Sequence, residues 1–212
     1  MFTPSAGYHL IKAEIGSFLQ QNGFHPYKTA IYYRITAGDV LQFISFQKGL
    51  QSLQDQMTLN VVVQGLFSPT CSFEVLQPGG RIGEFLPDSK DKWWHCDTEK
   101  ASHENIKTLT TALSTVVLPS LNRLSTAQQL IASFQEETRQ FLWRGQNSFI
   151  DQGYICLKAR QYIEALDIFR ANRPGKVAKF KTIQGLVEQA KYEQIDEILR
   201  ENVHHQKAKS KI

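Results

Sequence analysis

Met57-Thr58-Leu59-Asn60-Val61-Val62-Val63-Gln64 alternates along its length, with Val62 the one apolar residue on its more polar side. Met57, Leu59, Val61 and Val63 fall on one side, and Thr58, Asn60, Val62 and Gln64 on the other. A period of two belongs to an extended chain, whose successive side chains point to opposite faces. One apolar side and one mainly polar side predict an antiparallel strand with one face in a core and one in solvent.

The flanking sequence supplies this strand with neighbours. Val40–Gln47 is nearly apolar on both faces and is expected at the centre of a sheet. The turn Ala37-Gly38-Asp39 joins it to Phe24–Thr36, where Ile31, Tyr33 and Ile35 alternate with Tyr32, Arg34 and Thr36. Gly49–Asp55 reads as a polar loop. On the far side, Cys71–Leu76 is expected as a short fourth strand and Pro78-Gly79-Gly80 as a turn. Arg81–Phe85 reads as a fifth strand or its edge, and Trp93–Cys96 as a short extended piece. Ahead of the sheet, Tyr8, Ile11, Ile15, Phe18 and Leu19 share one helical face. Ser5 is a candidate cap for that helix, and Asn22-Gly23 supplies residues that tolerate a left-handed stop.

From Ser102 the period turns helical, with an apolar stripe of Ile106, Leu109, Leu113, Val116 and Val117 continued by Leu121 and Leu124. Thr126 and Gln129 form a capping-box pattern for a helix reaching about Trp143, and Gly145-Gln146-Asn147-Ser148 is the best linker candidate. An internal repeat follows. Gln161–Asn172 (QYIEALDIFRAN) and Lys191–Asn202 (KYEQIDEILREN) match at an offset of 30 through Tyr162/Tyr192, Ile168/Ile198, Arg170/Arg200 and Asn172/Asn202. Together with Gly153, Ala165 and Phe169, these positions resemble tetratricopeptide-like helical hairpins, and two such units fall short of a free-standing solenoid. The expected fold class is α+β: an antiparallel sheet with helices on one face, followed by an all-helical subdomain. The expected domains are 1–125 and 126–212.

Composition narrows the function. The formal net charge is +4 and the basic residues are spread out, apart from Lys207, Lys209 and Lys211. A nucleic-acid binder usually carries a denser basic stripe, so that class is disfavoured. The tail from His204 to Lys211 reads as a solvated, disordered end that could also contact an acidic partner or nucleic acid. Three cysteines at wide spacing make no disulfide framework and suit a reducing compartment. The first residues lack the basic and long apolar regions of a signal peptide, and no apolar run nears the roughly 20 residues of a spanning helix. A cytoplasmic protein without a membrane partner is expected.

No complete catalytic motif is present, which leans the reading away from an enzyme. Gly-x-Ser-x-Gly is absent, and Cys96 beside His95 is poorly placed for a nucleophile–base pair. Pro78-Gly79-Gly80-Arg81-Ile82-Gly83 lacks the Walker spacing and reads as a hairpin turn. Cys71, His95, Cys96 and His103 are metal-ligand types without metal-ligand spacing, so neither a metal nor a cofactor is expected. The candidate binding residues are Arg34, Gln47, Asn60, Arg81, Trp93 and Trp94. The four polar ones lie within strands and make a patch if those strands are neighbours. Alternatively Arg81 pairs internally with Asp91 or Glu84. In an extended piece the two tryptophans point to opposite faces, so one enters the core and the other covers an edge or anchors a partner.

Several blocks, in order, carry a family resemblance: Gly23-Phe24 with Tyr33-Arg34, then Leu41–Lys48, Thr58–Val63, Arg81-Ile82-Gly83 and Asp91–Trp94. Over about residues 8–125 the chain resembles the bacterial domain of unknown function family 4304. It departs from the family pattern at Met57, where an aromatic is usual, and in a short segment before Arg81. The resemblance implies an α+β domain. It also implies an association with immunity proteins encoded beside toxins, which act by binding. The leading expectation is therefore a non-enzymatic protein-binding module, with a toxin-neutralising immunity protein as one form of it. A small-ligand binder or enzyme on the polar sheet face is the alternative, and nucleic-acid binding the third reading.

Overall fold

The computed structural model describes residues 2–74, 76, 78–88, 90–136, 141–144, 148–172, 175, 177 and 179–212. It is an α+β protein with a six-stranded antiparallel sheet. The chain divides into two compact units. One comprises Met1–Arg34, Gln42–Val62 and Gly79–Arg123, and the other Ile35–Leu41, Val63–Pro78 and Leu124–Ile212.

Helix α1 (Pro4–Gln21) opens the first unit. Its cap is Thr3, not Ser5: Thr3 Oγ1 accepts the Ala6 amide at 3.2 Å and Pro4 takes the first helical position. Proline suits that position because its missing N–H would have had no partner there. The apolar stripe falls where the spacing placed it. Ile11, Ile15 and Leu19 are fully buried, each burial stabilising by about 1.5–3 kcal/mol. Asn22 ends the helix and Gly23, at φ +81°, turns the chain out of it.

The strands are β1 (His25–Tyr27), β2 (Ile31–Ile35), β3 (Val40–Lys48), β4 (Gln56–Gly65), β5 (Gly79–Arg81) and β6 (Trp94–His95). The order is β1-β2-β3-β4-β5, and β6 also pairs with β4. Asn60 lies opposite Arg81, and Met57 opposite Trp94.

Strand β4 departs from its expected solvated face, because Thr58, Asn60 and Gln64 are all buried. Each has a partner there. Thr58 Oγ1 donates to the Lys92 carbonyl at 3.0 Å, Asn60 Nδ2 donates to Gln47 Oε1 at 3.0 Å, and Gln64 Oε1 accepts the Ser72 amide at 2.8 Å. Bonded in this way, polar groups avoid the cost of burial without a partner. The last of these bonds helps explain a second difference. The described residues of Cys71–Leu76 form no strand, since the Ser72 amide goes to a side chain and the Glu74 amide to Ser72 Oγ. Strand β5 stops at Arg81, where Glu84 Oε2 accepts the Arg81 amide at 2.9 Å and a 3₁₀ turn (Ile82–Phe85) begins.

Helix α2 (Glu99–Ala112) starts three residues before the expected Ser102, because Thr98 caps it through the Ala101 amide. A π-helical turn (Leu113–Val117) leads into α3 (Leu118–Asn122). Leu109, Leu113, Val117 and Leu121 are buried, and α1 packs on α2.

In the second unit the helices are α4 (Ala127–Gln135), α5 (Ser148–Lys158), α6 (Tyr162–Ala171), α7 (Phe180–Glu188) and α8 (Tyr192–Ser210). Thr126 caps α4 through the Gln129 amide, as its sequence predicts. Residues 137–140, in the expected run to Trp143, and 145–147, in the expected linker, lie outside the described residues. Helices α5 and α6 form one hairpin, α7 and α8 another. Their turns superpose in sequence at the 30-residue offset. Gln161 and Lys191 donate to the carbonyls of Cys156 and Leu186, and Arg160 and Ala190 both take left-handed conformations.

Candidate functional site

The two tryptophans separate as neighbours on an extended strand must. Trp94 is 4% exposed and packs in the first unit, with Lys92 Nζ 5.6 Å from its ring centroid. Trp93 is half-buried. The Arg81 guanidinium lies over the Trp93 ring at 5.0 Å and pairs with Asp91, to which Trp93 Nε1 also points. Of the two fates open to Arg81, the internal pair is the one observed.

Strands β3, β4 and β5 bring Gln47, Asn60 and Arg81 together. Asn60 bonds Gln47 and faces Arg81 across the ladder, and residues so opposed share a sheet face. Arg34 does not join them. Its Nε donates to Gln42 Oε1 at 2.8 Å and its Nη2 to Asn122 Oδ1 at 2.7 Å, with the guanidinium 4.7 Å from the Phe24 ring centroid. Gln42 and Gln47 are an odd number of residues apart along β3, so they occupy opposite faces. Burial lowers the Arg34 pKa from its ordinary value.

The metal-ligand types disperse. Cys71 lies in the second unit and His95, Cys96 and His103 in the first. Among the described residues, Asp55, His95 and Asp97 hold ligand atoms within 4.8 Å of one another, with His95 Nδ1 2.8 Å from Asp55 Oδ2. His95 and Asp97 are exposed and Asp55 is half-buried, and the His95–Asp55 contact reads as a surface pair. All three cysteines are free and buried. Burial pushes Cys71 up to about 12, with Asp151 adding to it, and Cys156 up to about 11. Cys96 is raised by burial first. A nucleophilic cysteine needs the opposite shift.

The surface that residue-by-residue reading missed lies on the hairpins. Tyr162 opens α6 and Tyr192 opens α8, and their rings stack with centroids 4.3 Å apart and planes 3° from parallel. Within the stack Tyr192 stays 42% exposed, and Ile163, next in the chain after Tyr162, is 62% exposed. Arg160 and Asp196 pair at 3.0 Å. Glu164, Glu193 and Glu197 are exposed and have no ion-pair partner among the described residues. The signal was present in the Tyr162/Tyr192 match of the repeat.

The hairpins themselves pack through the Gly153 and Phe169 positions. A Cβ on Gly153 would lie 2.0 Å from Phe169 Cε1, so the residue is small because a ring occupies its side-chain space. Tyr154 meets the same ring edge-on, with centroids 5.7 Å apart. No helix among the described residues is long and apolar enough to cross a membrane.

The family model described as a domain of unknown function (DUF4304) matches residues 15–123. No curated protein and no solved structure matches the chain.

Proposed function

The chain belongs to the DUF4304 family, and from that premise we propose that it acts by binding another protein, not by catalysis, with the α6/α8 tyrosine platform as the contact surface. The observation that carries this reading is the exposure of Tyr192, within the Tyr162–Tyr192 stack, and of Ile163, next in the chain after Tyr162. Aromatic residues held rigid on helices dominate binding hot spots, because they bury a large area at a small entropic cost. Helical hairpins in series are suited to presenting such a surface.

The rim sets the partner's chemistry. Glu164 follows Tyr162 by two residues, Glu193 and Glu197 follow Tyr192 by one and five, and all three are exposed with no ion-pair partner among the described residues. Carboxylates beside an exposed ring favour a cation, through ion pairing and through attraction to the ring face. The proposed partner presents Lys or Arg together with an apolar side chain. A toxin neutralised by this protein, in the manner of an immunity protein, is the form of the reading that the family resemblance implies. The internal partners of Arg34, Gln47, Asn60 and Arg81 support binding through the hairpins over a small-molecule site on the sheet.

The test is reconstitution. A stoichiometric partner captured from the native cell is purified, and its Kd is measured with wild type, Tyr192→Ala, Ile163→Asp and Arg81→Ala. The reading expects a loss of about thirtyfold or more for the first two variants, the scale of hot-spot removal, and little change for the third. Equal affinity for all four proteins, or turnover of a substrate lost on a point substitution, would overturn it.

A further inference from the structure

Asp151 of α5 is 6% exposed and faces the segment 66–72 of the same unit. Ser68 Oγ lies 2.7 Å from Asp151 Oδ1, Thr70 Oγ1 lies 2.6 Å from the same oxygen, and the two hydroxyls are 2.7 Å apart. Three oxygens thus make three contacts of hydrogen-bond length, and each contact needs its own proton. A hydroxyl carries a single proton. If Asp151 is ionised, Ser68 and Thr70 supply two protons, and one contact is left with lone pair against lone pair. A proton on Oδ1 completes the set: each oxygen then donates once and accepts once within the ring, and Ser68 Oγ also accepts the Thr70 amide at 3.4 Å.

We propose that these residues form a proton-operated catch: a protonated Asp151 closes a hydrogen-bonded ring that locks the segment 66–72 onto α5, and loss of the proton opens the ring and frees the segment.

The surroundings fit a carboxyl that keeps its proton further into the mildly acidic range than an exposed one does. Burial raises the Asp151 pKa to about 6, and hydrogen bonds from Thr70 and Ser68 draw it down without cancelling the rise. No cation among the described residues offsets the burial. Helix α4, packed on α5, has no charged residue. The charged residues of α6, Glu164, Asp167 and Arg170, are exposed. On α8, Lys207 reaches Asp39, Lys209 is exposed and acts on Cys71, and the two residues that bond the segment, Asn202 and Gln206, are uncharged. On α5 itself, Lys158 also goes to Asp39. Cys71 is the titratable neighbour within the segment, and burial keeps its thiol protonated.

Helix α8 holds the same segment by other groups. Asn202 Nδ2 donates to the Phe67 carbonyl at 2.9 Å and Gln206 Nε2 to the Pro69 carbonyl at 3.1 Å. These amides do not titrate, so the pH response comes from the α5 side. The folded-state pKa lies above the ordinary 3.8. The added stability is therefore complete below about pH 4 and is lost as pH rises through about 6.

The test is a carbon-13 NMR titration of the labelled wild-type protein from pH 3.5 to 8. The Asp151 carboxyl signal is identified by its absence in Asp151→Asn, and amide exchange of residues 66–72 is followed alongside and corrected for intrinsic base catalysis. The catch expects the carboxyl to titrate near 6 and protection of 66–72 to fall about fiftyfold between pH 4 and 7. In Asp151→Asn, which has no proton to lose in this range, that fall disappears. If the variant does not fold, the wild-type titration decides alone. A carboxyl titrating near its ordinary value, or protection that stays constant while the carboxyl titrates, would overturn the proposal.

Discussion

Tyr162 and Tyr192 stand one repeat apart in the chain and stack ring on ring, with centroids 4.3 Å apart and planes 3° from parallel. Each is the first residue of its helix. Each follows a residue of nearly the same backbone geometry, Gln161 at φ −90°, ψ 68° and Lys191 at φ −87°, ψ 59°. The stack is thus a product of the repeat: two equivalent turns deliver equivalent rings to one place. A double-mutant cycle of Tyr162→Ala and Tyr192→Ala, read by chemical denaturation, should give a coupling of about 0.5–1.5 kcal/mol. Additive losses would mean the rings are adjacent without supporting each other.

The two glycines of the hairpins should respond in opposite directions. Gly153→Ala forces a methyl into the Phe169 ring, where the nearest atom would be 2.0 Å away. It should cost about 1–3 kcal/mol or more. Gly185, within α7, has open space around its Cβ position, and Gly185→Ala should stabilise by about 0.5–1 kcal/mol through the lost freedom of the unfolded chain. Denaturant midpoints of the two variants check both signs.

The adjacent tryptophans should differ in the same way. Trp94→Ala empties a buried site and should cost about 3–5 kcal/mol. Trp93→Ala removes a half-buried ring from under Arg81 and should cost about 1 kcal/mol or less. Urea titrations of the two variants separate these outcomes, and equal losses would contradict the packing described.

Global stability should carry the mark of Asp151. Its folded-state pKa is raised, so its contribution to folding is greatest in acid and falls as pH rises from about 4 to about 6. The difference in unfolding free energy between wild type and Asp151→Asn should change by a few kcal/mol across that window and then level off. Taking the difference cancels the other titrating groups. A flat difference would show that the carboxyl has the same pKa folded and unfolded.

How far the sequence could be read depended on how local each cause was. The α1 stripe and the stop at Asn22-Gly23 were legible because spacing and a single backbone conformation decide them. The existence of β4 was legible from its alternation, but its second buried face was not. Thr58, Asn60 and Gln64 are buried because Lys92, Gln47 and Ser72 receive them, and those partners are contributed by other segments. The strand expected at Cys71–Leu76 rested on residue preference, which two side chains overrode by capturing the Ser72 and Glu74 amides. The Arg81–Asp91 pair was visible as an alternative because the two residues are only 10 apart in the chain. The tyrosine platform was half-visible: the repeat paired Tyr162 with Tyr192, but only the geometry of the turns brings the rings into contact.

The most direct test of the binding account is a hydrogen-exchange footprint of the full-length protein with its reconstituted partner. The account predicts added protection over residues 160–164 and 189–197, where Ile163 and Tyr192 lie, and unchanged exchange over 79–95 around Arg81 and Trp93. Protection confined to 79–95, with the hairpin turns unaffected, would contradict it and move the contact surface to the edge of the sheet.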